Sequence, residues 1–342
     1  GMADYDLNKR LGSGAFGEVW LGDDRALGVR RAIKFVPPHN IKDPTNFYEE
    51  PRNLIALKHD NVIEIADAGK TADGRLYIAM EYYPNGSVSD LTGGAVVPLI
   101  DSIRYGADIC RGLEYSHALG YVHRDIKPAN IIIDNQGHAR LSDFGLAVKV
   151  AVDGTASPYG YLGHLAPEVI TNNVTDKRTD IYAVGVTLYR MVNGDAYLPM
   201  TIDPDDLLEM IKEGTFPNRN QYRPFIPTGI RTVINTALNI NPDNRYQNAS
   251  ELRHALERIN VFGSWTPRTI PNGTEWVCSI GNLDFLARSL RKDRGCFDFE
   301  LYKCLSGKTM RKINSDFHYC WKKSAHEHQI RKVLSRIISN GK

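Results

Sequence analysis

The chain has little of what marks a secreted, metal-bound or membrane-spanning protein. Its five cysteines are odd in number and widely spaced, so plain thiols in a reducing compartment are expected rather than a disulfide framework. No close pair such as Cys-x2-Cys occurs. A zinc site is therefore not expected, although Cys278, Cys296, Cys304, Cys320 and His318 all fall in the last quarter. No apolar run approaches the roughly 18 residues of a membrane span. The first residues, Gly1-Met2-Ala3-Asp4, lack the basic-then-apolar order of a signal peptide, and the glycine before Met2 has the look of an expression-tag remnant. Repeats and low-complexity tracts are absent too. What remains, 42% hydrophobic and 24% charged residues, is ordinary for a globular protein placed in the cytoplasm.

Charge is balanced overall, at net +2, but not along the chain. Residues 263–342 carry 15 Lys and Arg against 7 Asp and Glu, while residues 1–262 carry 27 against 33. A boundary near Gly263 follows. Residues 5–83 read as short strands with one helix over 47–58, where Pro51 limits how early that helix starts. A hairpin over 62–68 and 75–82 turns at Asp73-Gly74. Helices dominate after Tyr83-Pro84-Asn85-Gly86. Ile103, Ala107, Cys110, Leu113 and His117 recur at helical spacing, and residues 180–192 are apolar enough for a helix buried on all sides. Further helices are expected over 207–211, 230–238 and 249–259. In the tail, 297–305 and 309–322 resemble strands around a turn at Gly307, and 325–338 an amphipathic helix.

Chemistry concentrates in His123-Arg124-Asp125-Ile126-Lys127-Pro128-Ala129-Asn130, which puts a carboxylate, a cation and a carboxamide within eight residues. A second carboxylate follows in Asp143-Phe144-Gly145. These groups suit a polyphosphate, its metal ions and an attacking hydroxyl. Upstream, Gly12, Gly14 and Gly17 would let backbone amides approach a phosphate closely. The stretch runs into a strand at Val19, whereas a dinucleotide fingerprint would open a helix. Lys34, in Ala32-Ile33-Lys34, is either a solvated edge charge or a cation on the phosphates.

Taken together, Gly12/Gly14/Gly17, Lys34, Glu50, His123-Arg124-Asp125, Asn130, Asp143-Phe144-Gly145 and Ala166-Pro167-Glu168 resemble the motif series of eukaryotic-type (Hanks-type) protein kinases over about three quarters of the chain. The resemblance implies an α+β fold of two lobes: a β-rich small lobe at 5–83 and a helical lobe at 84–262, followed by a basic strand-and-helix module at 263–342. It implies ATP and Mg2+ (or Mn2+) as cofactors and a protein serine or threonine as acceptor. Asp125 would orient the hydroxyl, Lys127 neutralise the γ-phosphate, Asn130 and Asp143 hold the metal, and Lys34 pair with Glu50. ATP would lie against Leu11, Gly12, Ser13, Gly14, Gly17, Val19, Ala32, Lys34, Met80, Glu81, Tyr83 and Ile132. Asp180 would bind the catalytic-loop backbone and Glu168 would pair with Arg245. Leu54, Ile65, His123 and Phe144 would stack between the lobes.

Two positions depart from the pattern: Tyr161 stands where a threonine is common, and His164 where a tyrosine is. Thr155 and Ser157 are candidate autophosphorylation sites in the loop before Glu168. The competing reading is a nucleotide-binding pseudokinase acting as a scaffold through its tail. That tail matches no named family. Its aromatic and basic residues fit docking on the acidic kinase portion or a protein partner more readily than nucleic acid.

Overall fold

The computed structural model describes residues 5–14, 17–36, 58–143, 148–149, 161–199, 202–292 and 295–341, with backbone alone at 13, 14, 148 and 149. The first body is a five-stranded antiparallel sheet in the order β1-β2-β3-β5-β4. Its strands are β1 (Tyr5–Gly14), β2 (Gly17–Asp24), β3 (Val29–Val36), β4 (Ile65–Lys70) and β5 (Leu76–Glu81). The β2–β3 turn is fixed by Asp24, whose Oδ1 accepts the N–H groups of Ala26 and Leu27 at 3.0 Å each. The expected β4–β5 hairpin is present, and Gly74 sits in its turn at φ 87°. Ile33, Phe35 and Ala79 bury the sheet's inner face. The helix expected over 47–58 lies outside the described residues, except for Lys58.

The second body is helical. It holds α1 (Val88–Thr92), α2 (Leu99–Ala118), α3 (Pro167–Asn172), α4 (Lys177–Asn193), α5 (Pro204–Glu213), α6 (Thr228–Ala237) and α7 (Ala249–Glu257). Short strand pairs β6 (Tyr121–Val122) with β9 (Val148–Lys149), and β7 (Ile131–Ile133) with β8 (Ala139–Leu141), interrupt the helices between α2 and α3. α1 opens with a reciprocal cap between Ser87 and Asp90. α4 is buried on nearly every side, as its apolar sequence implies, and forms the axis of the main core with α2, α6 and α7.

A second antiparallel sheet follows: β10 (Thr266–Ile270), β11 (Gly273–Ile280), β12 (Leu283–Arg291), β13 (Phe297–Leu305) and β14 (Arg311–Lys312), with β15 (His318–Trp321) also pairing β13. α8 (Lys323–Asn340) buries Ile330, Val333, Leu334, Ile337 and Ile338 in the core. Trp265, 1% exposed, donates its indole N–H to the Leu334 carbonyl at 3.0 Å. Ser264 Oγ accepts the Ile100 N–H at 3.1 Å, linking this body to α2.

Two expectations for the tail need correction. Residues 309–322 do not form one strand. A 3-10 turn, Asn314–Asp316, separates β14 from β15 because Asp316 turns inward, where Arg336 of α8 binds it at 2.8 Å. The cysteines are not all free thiols either: Cys296 and Cys320, 24 residues apart, form a disulfide with Cα atoms 4.7 Å apart. The β13–β15 pairing brings them together, helped by the Cys320 N–H bond to Asp298 Oδ1 at 2.8 Å. Cys110, Cys278 and Cys304 remain thiols, and no metal-binding cluster occurs among the described residues.

Candidate functional site

The loop after β6 carries the concentrated chemistry. The 3-10 turn Pro128–Asn130 delivers Asn130 to the start of β7, and the Ile131–Leu141 pairing sets Asn130 beside Ser142 and Asp143. Ser142 closes the junction, giving its N–H and its Oγ–H to the Asn130 carbonyl at 2.9 and 3.1 Å. Asn130 and Asp143 are thus held together at the base of one hairpin.

Asp125 is 2% exposed. Its carboxylate accepts from Lys127 Nζ at 2.9 and 2.7 Å and from Asn130 Nδ2 at 2.8 Å. A buried carboxylate is tolerable only with such charged and hydrogen-bonded partners. His123 locks the same loop from beneath. Its Nε2 donates to the Ser142 carbonyl at 3.1 Å and its Nδ1 accepts the Asp125 N–H at 3.3 Å, so the ring is neutral. Burial holds its pKa below the ordinary value.

Asp180, in the first turn of α4, fixes the loop's backbone. Its carboxylate accepts the N–H groups of His123 and Arg124 at 2.8 and 2.9 Å and faces His117 Nε2 at 2.8 Å. Burial alone would raise its pKa, but these donors outweigh it and hold the carboxyl below the usual value. The anchoring matters because Arg124 (φ 67°) and Asp143 (φ 58°) both adopt left-handed backbone, which costs a non-glycine residue on the order of 1–2 kcal/mol. His117 was legible only as a helix-face residue; its partner is 63 positions away, a relation no linear spacing reveals.

The small-lobe sheet supplies the roof. Val19, Lys34 and Ile78 are cross-strand neighbours, as are Ala32 and Met80, which places Val19, Ala32, Lys34 and Met80 on one face. Lys34 pairs with Asp143 through Oδ1. Glu50, its expected partner, lies outside the described residues, as do Leu54, Phe144, Thr155 and Ser157. Ile132 bridges to Ser87 below the sheet. Glu81 donates its N–H to the Glu64 carbonyl and Tyr83 accepts from Gly86 N–H. Leu11 is 40% exposed, and Gly12 pairs with Val19 across the glycine-rich turn.

On the far side, Tyr161 precedes a 3-10 turn, Leu162–His164, that ends in His164. The Tyr161 ring lies over Lys127, with Nζ 5.1 Å from its centroid. A cation–π contact thus stands where a threonine hydroxyl would have bonded. His164 is buried, its Nε2 accepting from Arg190 Nη1 at 3.0 Å. Glu168 pairs with Arg245 through two bonds of 2.7 Å, as expected.

The donor set fits the implied cofactors. Asn130 spends its side-chain amide N–H groups on Asp125, which leaves its side-chain Oδ1 for a cation. Together with the Asp143 carboxylate this is a hard oxygen pair, the type Mg2+ prefers. Lys34 would supply the cation for phosphate oxygens.

A strand-rich lobe over a helical lobe, with Lys34 and the Asp125–Asn130–Asp143 group facing one another, defines the class of two-lobed phosphotransferases. The chain belongs to the protein kinase family, whose sequence model, described as protein kinase domain, matches residues 5–256. Among curated relatives, serine/threonine-protein kinase PknB of Mycolicibacterium smegmatis is 33% identical over 269 residues, 75% of this chain and 43% of that protein. PknB of Mycobacterium leprae is 33% identical over 268 residues, with the same coverage of each chain. The probable serine/threonine-protein kinase CPE1738 of Clostridium perfringens is 31% identical over 268 residues, 75% of this chain and 38% of that protein. The chain therefore spans about two fifths of the length of these relatives. The family match ends before β10. No helix among the described residues is long and apolar enough to cross a membrane.

Proposed function

We propose that the chain is a serine/threonine protein kinase that transfers the γ-phosphoryl group of ATP to protein hydroxyls. The observation that carries this reading is the buried Asp125 carboxylate, held by Lys127 and Asn130 beside Asp143 and Lys34. When bound, Mg-ATP (or Mn-ATP) would supply the phosphoryl group and the positive charge that offsets its phosphates. Asp125 orients the acceptor hydroxyl and takes its proton. Lys127, within reach of the same carboxylate, faces the charge that develops on the transferred group. Asn130 and Asp143 hold the metal, and Lys34 holds the phosphates from the roof. The glycine-rich turn (Gly12, Ser13, Gly14 and Gly17) covers the phosphates, while Leu11, Val19, Ala32, Met80 and Ile132 enclose the base and the Glu81–Tyr83 backbone meets its edge.

This reading divides the chain at residues 83 and 262, with a separate accessory module at 263–342, and assigns Glu50 as the partner of Lys34. Autophosphorylation at Thr155 or Ser157 belongs to it, as does a place in the cytoplasm, where ATP is. The intact set of Lys34, Asp125, Asn130 and Asp143 speaks against a scaffold that only binds nucleotide.

The test is phosphate transfer from labelled Mg-ATP to the chain itself and to a generic basic protein, beside an Asp125→Asn control. Transfer that the control lacks is expected. ATP binding without transfer, or equal transfer by the control, refutes it.

A further inference from the structure

We propose that the exposed β14–β15 edge of the C-terminal sheet binds single-stranded nucleic acid. Residues 301–326 carry six cations: Lys303, Lys308, Arg311, Lys312, Lys322 and Lys323. All are exposed. The one acidic residue in this stretch, Asp316, is buried and committed to Arg336. The edge is therefore predominantly cationic, although Lys323 also pairs with Glu327 of α8 at 3.9 Å.

The pairing register sharpens the point. Lys303 and Arg311 lie directly opposite each other on β13 and β14. Like charges opposite one another destabilise a sheet. Among the described residues no carboxylate forms an ion pair with either. A lysine or two on a sheet edge is ordinary protection against strand pairing. That role does not require a directly opposed Lys–Arg pair, which an anion laid along the edge would relieve.

Exposed rings accompany the cations. Tyr319 is 57% exposed and Trp321 39%. Lys312 Nζ sits 3.6 Å from the Phe317 ring centroid and 5.2 Å from that of Tyr319, so this cation and these rings share one surface, while Lys303 and Arg311 flank the edge from the other face. From Lys312, opposite Tyr302, to Trp321, opposite Phe297, the edge follows six residues of β13, or five steps along the strand. That is about 17 Å of strand, enough for a run of several phosphates. Cations alone would suit any polyanion. One face of Trp321 is stacked on His318 at 4.1 Å; the exposed parts of Trp321 and Tyr319 suit unpaired bases, whose faces stack on aromatic side chains, whereas a duplex hides those faces.

The experiment is fluorescence anisotropy with the full chain and labelled oligo(dT) and oligo(U) of about 20 nucleotides, titrated over salt from about 50 mM upward. Binding is expected to weaken with salt, with a log–log slope approaching about −4 if each of the six cations meets a phosphate. The Lys303→Glu/Arg311→Glu double variant should bind at least about tenfold more weakly and with a flatter slope. Tyr319→Ala should bind about fivefold or more weakly with the slope unchanged, because the ring meets a base and not a phosphate. All variants should keep the parent's thermal melting and phosphotransfer. A preference between the two oligomers tells DNA from RNA, and either supports the proposal. It is overturned if neither binds at the lowest salt, if the variants bind like the parent, if a duplex binds as tightly, or if polyglutamate competes as well per charge.

Discussion

His164 should make the kinase portion acid-labile in a defined window. The residue is 5% exposed, Thr187 Oγ1 lies 3.5 Å from its Nδ1, and its Nε2 accepts from Arg190, which Asp195 grips with two bonds of 2.7 Å. Burial first, then the facing guanidinium of Arg190, pushes its pKa down to about 3. In the unfolded chain the imidazole titrates near its ordinary 6.5. Between these values the unfolded state binds a proton that the folded state refuses. The stability from this site is therefore complete above about pH 6.5 and falls by about 1.4 kcal/mol per unit as the pH drops toward 3, or about 2 kcal/mol at pH 5. His164→Gln provides the comparison: its carbonyl can still accept from Arg190, and it does not titrate. Urea unfolding of both proteins at about pH 7 and pH 5 should show the parent losing about 2 kcal/mol more than the variant. His123, also buried and neutral, contributes equally to both and cancels. Parallel pH profiles for the two proteins would refute the argument.

Two further outcomes follow from contacts outside the buried loop. Tyr161→Ala should lower kcat by about two- to fivefold, the worth of one half-exposed cation–π contact, because Lys127 keeps both bonds to Asp125; Tyr161→Phe should match the parent. Steady-state kinetics decide, and a hundredfold loss in Tyr161→Ala would show that the ring does more than hold the lysine. Denaturing alkylation without reductant should modify three of the five cysteines, and all five after reduction; five without reductant would rule out the Cys296–Cys320 bond. Where the bond is intact, reduction should cost about 3 kcal/mol in the C-terminal module by loop entropy.

The parts of the site readable in the sequence are those whose chemistry fits within a few residues. Asp125, Lys127 and Asn130 sit on one loop, and the hairpin that returns Asp143 to Asn130 is only a dozen residues long. Asp180 and the Glu168–Arg245 pair were reachable through the family pattern, though their partners are 56 and 77 positions distant. His117, Ser142 and Arg190 were not, because a histidine or serine acquires meaning only from what the fold sets against it. The tail shows the same limit. The turns Pro271-Asn272 and Gly281-Asn282 mark two tight hairpins, yet the strands they join went unread. Half-buried residues such as Val277 and Leu286 lie on the outer face and blur the alternation that Trp276, Cys278, Phe285 and Ala287 make on the inner one. The disulfide was hidden for a related reason: its two cysteines meet through β13–β15 pairing, across the break at Asn314–Asp316.

The Lys34–Asp143 pair bears on how the proposed function uses its site. Both side chains are largely shielded, at 10% and 27% exposure, so leaving either charge alone would be costly. Each is also assigned to a ligand of the opposite kind, Lys34 to phosphate oxygens and Asp143 to a metal ion. Lys34 can exchange a carboxylate for phosphate while Asp143 exchanges an ammonium for a divalent cation, and neither charge goes uncompensated. Phosphate without the cation would draw Lys34 from Asp143 and leave that carboxylate less well compensated. The cation without phosphate would do the reverse. The pairing thus favours joint entry of nucleotide and metal.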